Sequence, residues 1–470
     1  MNAQTSPSPT PALANGQTSF WLQQTGAPAP RPRLDGDLRA DVAIVGAGLT
    51  GLWTAYYLKK ARPDLDVVVL EKEFAGYGAS GRNGGWVSAE PPGQLRRYAK
   101  DRGHEAARNL QRAMFATIGE IAKVLAEEGI EADQQQDGVL HVARNLPQER
   151  RALAHAQGLR TWGWEADDLK VLDAGQTARW VRVEGARRGV WTPHGMRVHP
   201  GKLVRGLAEV VERLGVTILE QTPVERIEPG AAVTEHGTVR AETVVRALEG
   251  YTRTLDGQRR TMLPMNSSMI ITEPLTAGVW YEIGWARPVL LGDEAHSFTY
   301  AQRTADGRIA VGGRGVPYNA GARFDRNGAT AGKAVEQLKA TLRSLFPAAA
   351  SAALEHTWTG VLGVPRDWCA AVNHDPSTGL ASAGGYVGHG LAGTNLAART
   401  LRDVVLGKDT ELTSLPWVGR TSRSWEPEPL RWLGASALYA TYRFADRQEY
   451  RSPTGATAWS AQLADLIAGR

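Results

Sequence analysis

Three glycines and one glutamate near the start of the chain are spaced for binding a dinucleotide. Gly46, Gly48 and Gly51 form a GxGxxG run, and Glu71 lies about 20 residues beyond it. The glycines permit a tight turn, let the backbone approach a pyrophosphate and let a helix pack closely on a strand. The glutamate would accept hydrogen bonds from ribose hydroxyls. A glycine-rich turn without a ligand is the alternative interpretation.

The surrounding sequence contains the elements that must position these residues. Residues 41–45 and 66–70 are rich in valine and predict two buried strands, and the apolar spacing over residues 49–60 predicts a helix between them. The start of that helix would present backbone N–H groups and a partial positive charge to the phosphates. This order of strand, helix and strand makes the motif more specific than the glycines alone.

Two other glycine-rich segments have the composition of loops that contact a cofactor. Residues 76–86 read GYGASGRNGGW, and residues 384–393 read GGYVGHGLAG and lead into a predicted helix over residues 396–406. Backbone N–H groups in a loop that precedes a helix can stabilise negative charge on a ligand. A surface loop is the alternative for the first segment.

These segments resemble a known family. Residues 76–86 are similar to the flavin-proximal loop of FAD-dependent amine oxidoreductases of the D-amino-acid oxidase-like family, and their GASGRNGG run is most similar to the γ-glutamylputrescine oxidase-like branch. Residues 384–393 resemble the C-terminal FAD motif of the same family. The resemblance covers residues 20–433. It implies an α/β fold (α+β overall), with a Rossmann-type FAD-binding domain interleaved with an antiparallel-sheet substrate domain.

The resemblance also implies which residues bind FAD. Val224 belongs to a predicted strand over residues 222–227 that would pass the adenine. Relatives with covalently attached FAD use a histidine that corresponds to Arg82, or a cysteine that Cys369 does not match, so we expect non-covalent FAD. The full set of expected FAD-binding residues is Gly46, Gly48, Gly51, Glu71, Lys72, Ser80, Arg82, Asn83, Gly84, Gly85, Val224, Gly388, Gly390, Leu391, Ala392, Gly393 and Thr394.

Three residues are candidates for contact with the substrate. By resemblance, His389 lies near the flavin, where it could orient the substrate or place positive charge near the ring, and Tyr300 ends a strand and faces the substrate. Arg314 could hold a carboxylate with two parallel hydrogen bonds. For each of the three, a purely structural or solvent-exposed role is the alternative interpretation.

The predicted elements alternate between the two domains. A tail rich in serine and proline, residues 1–19, is expected to be disordered. The predicted division of the rest is FAD-binding over 20–94, 189–250 and 355–412, substrate domain over 95–188 and 251–354, and a C-terminal extension over 413–470.

Composition argues against several other classes of protein. The 470-residue chain has a net charge of +5 with basic and acidic residues interspersed, so we expect no nucleic-acid partner. Its one cysteine, Cys369, excludes an internal disulfide and a cysteine-based metal cluster, and we expect no metal site. We expect no signal peptide, and no apolar run reaches the roughly 18 residues that span a membrane, so we expect a cytoplasmic location and no membrane partner.

The resemblance implies oxidation of a C–N bond in a small amine or amino acid. The product would be an imine, which water converts to a carbonyl compound, and O₂ (with formation of H₂O₂) or another acceptor would take the electrons. A flavin monooxygenase that uses NAD(P)H and a non-catalytic, FAD-stabilised binding protein are the alternatives. The sequence does not specify the amine or the oligomeric state.

Overall fold

The computed structural model describes residues 13–26, 29–313, 318, 325–451 and 455–468. Its strands are β1 (Ala14–Asn15), β2 (Leu38–Val45), β3 (Val67–Leu70), β4 (Trp86–Ser88), β5 (Val139–Ala143), β6 (Lys170–Asp173), β7 (Arg188–Thr192), β8 (Gly195–Arg197), β9 (Thr217–Leu219), β10 (Val224–Glu228), β11 (Ala231–Thr234), β12 (Gly237–Arg246), β13 (Leu263–Thr272), β14 (Leu290–Asp293), β15 (Thr299–Arg303), β16 (Ile309–Gly313), β17 (Leu354–Val364), β18 (Ala371–Asp375) and β19 (Leu380–Gly384).

Helices connect these strands. They are α1 (Phe20–Gln24), α2 (Leu49–Ala61), α3 (Leu95–Arg102), α4 (His104–Glu127), α5 (Leu146–Arg160), α6 (Ala174–Ala178), α7 (Pro200–Arg213), α8 (Ala277–Ile283), α9 (Gly332–Leu345), α10 (Gly390–Val405), α11 (Leu430–Arg451) and α12 (Trp459–Ala468). Within the described residues, no helix combines the length and apolarity that a membrane span requires.

The eight-stranded sheet is the Rossmann-type unit. Its main order is β10-β11-β12-β2-β3-β9, and β19 and β18 extend it from β12. The central strands β12, β2 and β3 are parallel, with Val42 opposite Val67 and Val45 opposite Leu70. Parallel strands are covered on both faces, which explains their nearly continuous valine and isoleucine content. The two strands and the helix predicted around the glycine motif are confirmed.

The nine-stranded sheet has the order β1-β17-β13-β16-β15-β14-β5-β7-β6. Its long central pair, β13 and β17, is antiparallel, and β16 and β15 continue the antiparallel arrangement. Helix α9 packs on this sheet through apolar residues at helical spacing, among them Val335, Leu338 and Leu342, which share a buried cluster with Ile270 and Val311. The sheet therefore has a buried apolar face, as a half-covered antiparallel sheet requires.

Several elements lie on the other side of the predicted division. Strand β7 pairs with β5, and strand β17 pairs with β13. Both strands therefore belong to the nine-stranded sheet, although both were expected in the FAD-binding domain. Helix α4 was expected in the substrate domain, but Leu110, Met114 and Ile118 are buried in one cluster with Trp53 of α2. An apolar strand or an amphipathic helix indicates that one face is buried, but it does not indicate which sheet covers that face.

The N-terminal segment corrects a second expectation, because residues 13–19 are ordered. Strand β1 pairs in parallel with β17, with Ala14 opposite His356. Ser19 is fully buried, caps α1 by accepting from Leu22 N, and donates to Gly81 O at 2.5 Å. A strand of two residues has no alternation for sequence analysis to detect. Residues 1–12 lie outside the described part of the chain.

The C-terminal extension packs on the nine-stranded sheet through α11. Glu449 of α11 bonds to His296 Nε2 at 3.0 Å and to Arg151 Nη1 at 2.9 Å. Asp446 accepts hydrogen bonds from the backbone N–H of His296 at 2.8 Å and of Ser297 at 2.9 Å. These charge-assisted contacts attach α11 to the loop between β14 and β15.

We predict that Trp21→Ala destabilises the protein. The Trp21 side chain is 1% exposed, its indole N–H donates to Asn83 O at 2.9 Å, and its ring contacts Phe20 and Trp358. Loss of a buried tryptophan costs about 3–5 kcal/mol through lost burial and a residual cavity. Urea unfolding measures the change. The matched control is Trp459→Ala, whose ring is 68% exposed and should cost within about 0.5 kcal/mol. Equal unfolding midpoints for the two variants would contradict the prediction.

Candidate active site

A cavity of about 890 Å³ is lined by residues from both sheets. Its volume lies in the upper part of the range of about 300–1,000 Å³ that is typical of small-molecule sites. The glycine motif and Glu71 line one part, and Trp86, Phe298 and Tyr300, whose rings contact one another, line another part. We call these the nucleotide end and the aromatic end.

The turn between β2 and α2 forms the floor of the nucleotide end. Gly46 and Gly48 line the cavity, whereas Gly51 lies behind the wall. A Cβ atom on Gly51 would come within 2.0 Å of Gly46 O, so only glycine lets the helix pack this closely on the strand. The hydroxyl of Ser80 accepts a hydrogen bond from Leu49 N at 2.8 Å and thereby fixes the second loop against the start of α2.

Glu71 lies at the end of β3, as predicted. Its carboxylate accepts hydrogen bonds from Ala47 N at 2.9 Å and from Glu73 N at 3.0 Å. Burial raises its pKa to about 7, against the effect of these two donors. A carboxylate has about four acceptor positions, so it retains the capacity to accept from ribose hydroxyls. Lys72 and Val224 line the same end of the cavity.

Arg82 is the buried cation of the site. Its side chain is fully buried, Nη1 donates to Asp325 Oδ1 at 2.9 Å, and the guanidinium lies 4.3 Å from the centre of the Tyr77 ring. Within the described part of the chain, Arg82 Nε and Nη2 have no hydrogen-bond partner. These two nitrogens have no surface open to the cavity, so the groups that fit FAD are the backbone of the glycine motif, for its phosphates, and the Glu71 carboxylate, for its ribose.

Hydrogen bonds of the Asn83 side chain stabilise the loop of residues 76–86. The Asn83 side chain donates to Ser80 O at 2.6 Å and accepts from Gly85 N at 2.8 Å. Asn83 and Gly84 line the cavity, and Gly85 lies behind it. A Cβ atom on Gly84 would lie 2.4 Å from Tyr300 Cε2, so glycine is required here for the tyrosine ring to pack against the loop.

The last glycine-rich loop leads into α10, as predicted. Gly388, Gly390, Leu391 and Thr394 line the cavity. Ala392 and Gly393 are also in the predicted FAD set, but they lie behind the wall, where Ala392 belongs to the buried cluster beneath α2. Their contact with FAD stays a prediction.

Two of the three substrate-side candidates line the cavity. Tyr300 hydroxyl lies 3.0 Å from Ser267 Oγ, and its ring packs between Gly84 and Gly312. His389 immediately precedes α10, and its Nδ1 lies 3.2 Å from Glu90 Oε2. Arg314 lies outside the described residues.

A glutamate and a histidine at the aromatic end, Glu90 and His141, were not predicted from the sequence. Glu90 lines the cavity and lies 3.5 Å from Nε2 of His141, a residue of β5. Burial opposes ionisation of both groups, but their contact lowers the pKa of Glu90 to about 2 and raises the pKa of His141 to about 9. Glu90 is therefore an anion and His141 a cation at neutral pH. These residues lie far apart in the sequence, so no local pattern connects them.

Glu249 is a second missed residue. It lines the cavity beside the last glycine-rich loop, and its carboxylate accepts from Gly385 N at 2.7 Å and Tyr386 N at 3.1 Å. Burial raises its pKa to about 7, against these two hydrogen bonds. Its φ of 47° is uncommon for a residue other than glycine. The N–H groups of Gly385 and Tyr386 thus already have an acceptor in Glu249.

Comparison with known proteins decides the family. The model of the DAO family, which is described as FAD dependent oxidoreductase, matches residues 41–404. The chain belongs to this family. The resemblance inferred from the glycine-rich loops is thus confirmed, as is FAD as the cofactor.

Individual relatives of this FAD-dependent oxidoreductase match along most of their length. A probable oxidoreductase, OrdL, of Rhizobium meliloti is 29% identical over 84% of this chain and 90% of that protein. The γ-glutamylputrescine oxidoreductase of Escherichia coli is 27% identical over 83% and 89%. The crystal structure of glycine oxidase from Geobacillus kaustophilus has a TM-score of 0.67 and 20% identity over 79% of this chain and 96% of that one, and this likeness shows the fold.

We predict that Glu71→Ala weakens FAD binding. The variant removes the charged acceptor at the end of β3, and hydrogen bonds to charged groups contribute about 1.5–3 kcal/mol, which is roughly a tenfold or larger change in affinity. Titration of the FAD-depleted protein with FAD, followed by flavin fluorescence, measures the affinity. Glu71→Gln keeps one acceptor and should lose less.

The control for this prediction is Glu235→Ala. Glu235 lies in the turn between β11 and β12, and its side chain is 62% exposed. Its removal should leave FAD affinity unchanged. If Glu71→Ala also binds FAD with the affinity of the unmodified protein, then Glu71 does not hold the ribose.

Proposed function

We propose that this oxidoreductase oxidises a C–N bond of a small amine or amino acid to an imine, which water hydrolyses to a carbonyl compound. The observation that carries the proposal is the aromatic end of the FAD cavity, where Trp86, Phe298 and Tyr300 form an apolar wall beside His389. FAD, when bound, supplies the acceptor for the hydride that leaves the carbon next to nitrogen. The electrons pass on to O₂, with formation of H₂O₂, or to another acceptor.

The names of the relatives support this assignment. Besides the γ-glutamylputrescine oxidoreductase, the chain is similar to the β subunit of a sarcosine oxidase from an Arthrobacter species, at 25% identity, and to a glycine oxidase from Bacillus licheniformis, at 23% identity. All three names refer to substrates that contain a C–N bond. The choice among such substrates depends on the residues at the aromatic end.

The residues of the cavity have separate roles in this proposal. The three aromatic rings exclude water and position the carbon chain of the substrate. His389, paired with Glu90, accepts the proton that a bound ammonium must lose before the nitrogen lone pair can assist hydride loss. Tyr300, fixed by Ser267 and by the two glycines that contact its ring, sets the distance between the substrate and the loop of residues 76–86.

We propose that FAD is held without a covalent bond. Arg82 stands where covalent relatives have a histidine, and its guanidinium is paired with Asp325 and stacked on Tyr77. Arginine has no nucleophilic ring nitrogen with which to attach a flavin. Acid precipitation of the yellow protein should therefore release all of the flavin into the supernatant, and flavin that stays with the pellet would contradict the non-covalent attachment.

Anaerobic mixing with a panel of amines and amino acids tests the reaction. At least one amine should bleach the flavin absorbance near 450 nm as expected for two-electron reduction, and the bleaching rate should rise with pH through the pKa of the bound amine. His389→Ala should slow the reduction and change this pH profile, because the proton acceptor is lost. Bleaching by NADPH would instead favour the monooxygenase, and no bleaching by any amine would favour a non-catalytic protein.

A further inference from the structure

We propose that the substrate carries a second cationic group that binds Glu90, so that the enzyme acts on diamines or longer amines with two positive charges. This inference rests on the proposed amine oxidation and specifies its substrate class. It concerns the aromatic end of the cavity, where His141 contacts Glu90 as well as the rings of Trp86 and Phe298.

Three aromatic rings lie close together at this end of the cavity. The Trp86 ring lies edge-on to the rings of Phe298, at 6.2 Å, and Tyr300, at 6.0 Å. The rings of Phe298 and Tyr300 stack at 6.1 Å. Aromatic faces attract cations through the ring quadrupole, and an adjacent carboxylate adds a full negative charge. An apolar substrate would contact the rings alone, whereas a substrate ammonium would also contact the Glu90 carboxylate.

The local charge favours a cation. His141 lies between two carboxylates, with Nε2 at 3.5 Å from Glu90 and Nδ1 at 3.9 Å from Glu294. His389 also lies 3.2 Å from Glu90, but as the proposed proton acceptor it must be neutral before the reaction, which leaves His141 to balance the two carboxylates. The Glu90 side chain is also 36% exposed towards the cavity, so a ligand can reach it.

Positive side chains are scarce around the cavity. Among the described lining residues, Lys72 and Arg82 are the lysine and arginine present. Lys72 lies at the nucleotide end, and Arg82 is paired with Asp325. The described part of the aromatic end thus resembles an ammonium site more than a carboxylate site, and a substrate carboxylate there would face Glu90.

The chemistry requires that the group on Glu90 is not the nitrogen that reacts. A carboxylate raises the pKa of an ammonium that it touches, because the opposite charge stabilises the protonated form. The reacting nitrogen must lose its proton, so contact with Glu90 would oppose the reaction. A second, distant ammonium has no such requirement and can stay charged throughout.

A matched series of compounds tests the inference with the FAD-loaded protein. 1,4-Diaminobutane, butylamine and 4-aminobutanoate have four-carbon chains and differ in the distal group. Under anaerobic conditions, flavin bleaching should give an apparent Kd for the diamine that is about tenfold or more below that of butylamine, with the amino acid weakest. In Glu90→Gln the ratio between diamine and butylamine should fall to about one, whereas Glu90→Asp should restore part of it.

Binding without turnover gives an independent measurement. A bis-quaternary ammonium alkane carries two fixed positive charges. Its nitrogens have no proton to lose and no lone pair to assist hydride loss, so the compound binds without being oxidised. Titration into the FAD-loaded protein, followed by the shift in flavin absorbance, should show an affinity that falls about tenfold in Glu90→Gln. Glu336→Gln removes an equal charge from the exposed face of α9, where the side chain is 69% exposed, and should not change this affinity.

The outcomes separate the two proposals. If butylamine and the diamine bleach the flavin with equal affinity, the inference about Glu90 is wrong and amine oxidation stands. If the bis-quaternary compound binds equally well to Glu90→Gln and to the unmodified protein, the inference is also wrong. If no amine bleaches the flavin, the proposed function itself fails, and tight, Glu90-dependent binding of the bis-quaternary compound would still locate the cation site.

Discussion

Three hydrogen bonds to the backbone of residues 81–83 connect this cavity loop to the N-terminal segment and to the nine-stranded sheet. The carbonyl oxygens of residues 81–83 accept, in that order, from Ser19 Oγ, Trp358 Nε1 and Trp21 Nε1. Two of these donors come from the N-terminal segment and one comes from β17. A buried carbonyl without a donor costs about 1–3 kcal/mol, so the loop is stable only when both segments are in place. Arg82 and Gly84 reach the cavity through this loop.

The buried charges of the cavity are arranged in separate pairs. Arg82 shares Asp325 with the Tyr251 hydroxyl, which donates to Asp325 Oδ2 at 2.6 Å. At the aromatic end, Glu90 and His141 form the second pair. Removing charge from water is costly, and such pairs persist where hydrogen bonds satisfy the remaining atoms. In the second pair one histidine, His141, lies between two carboxylates, Glu90 and Glu294, and this excess negative charge favours a cation.

The features that could be predicted from the sequence are those whose residues are close together in the chain. The turn with Gly46 and Gly51, the acid Glu71 and the loop before α10 all depend on local geometry, and local patterns contain that information. The pair of Glu90 and His141 depends on β4, β5 and the last loop meeting in space, which no periodicity reports. The same reason explains the N-terminal segment, whose order depends on a strand more than 300 residues away. Residues 13–19 have a composition typical of disorder, but Ser19 is fully buried.

The pairing of β1 with β17 has a consequence for biosynthesis. His356 Nε2 lies 3.1 Å from Gly16 O, although 340 positions separate the two residues. A ribosome adds about 5–20 residues per second, so the first strand waits roughly 17–70 s for its partner. Until then the apolar residues of α1 have no complete binding surface, and the loop of residues 81–83 lacks one of its three donors. Among the described residues, the last that lines the cofactor pocket is Thr394, so the pocket is complete only after most of the chain has been made, and FAD loading is a late step of biosynthesis.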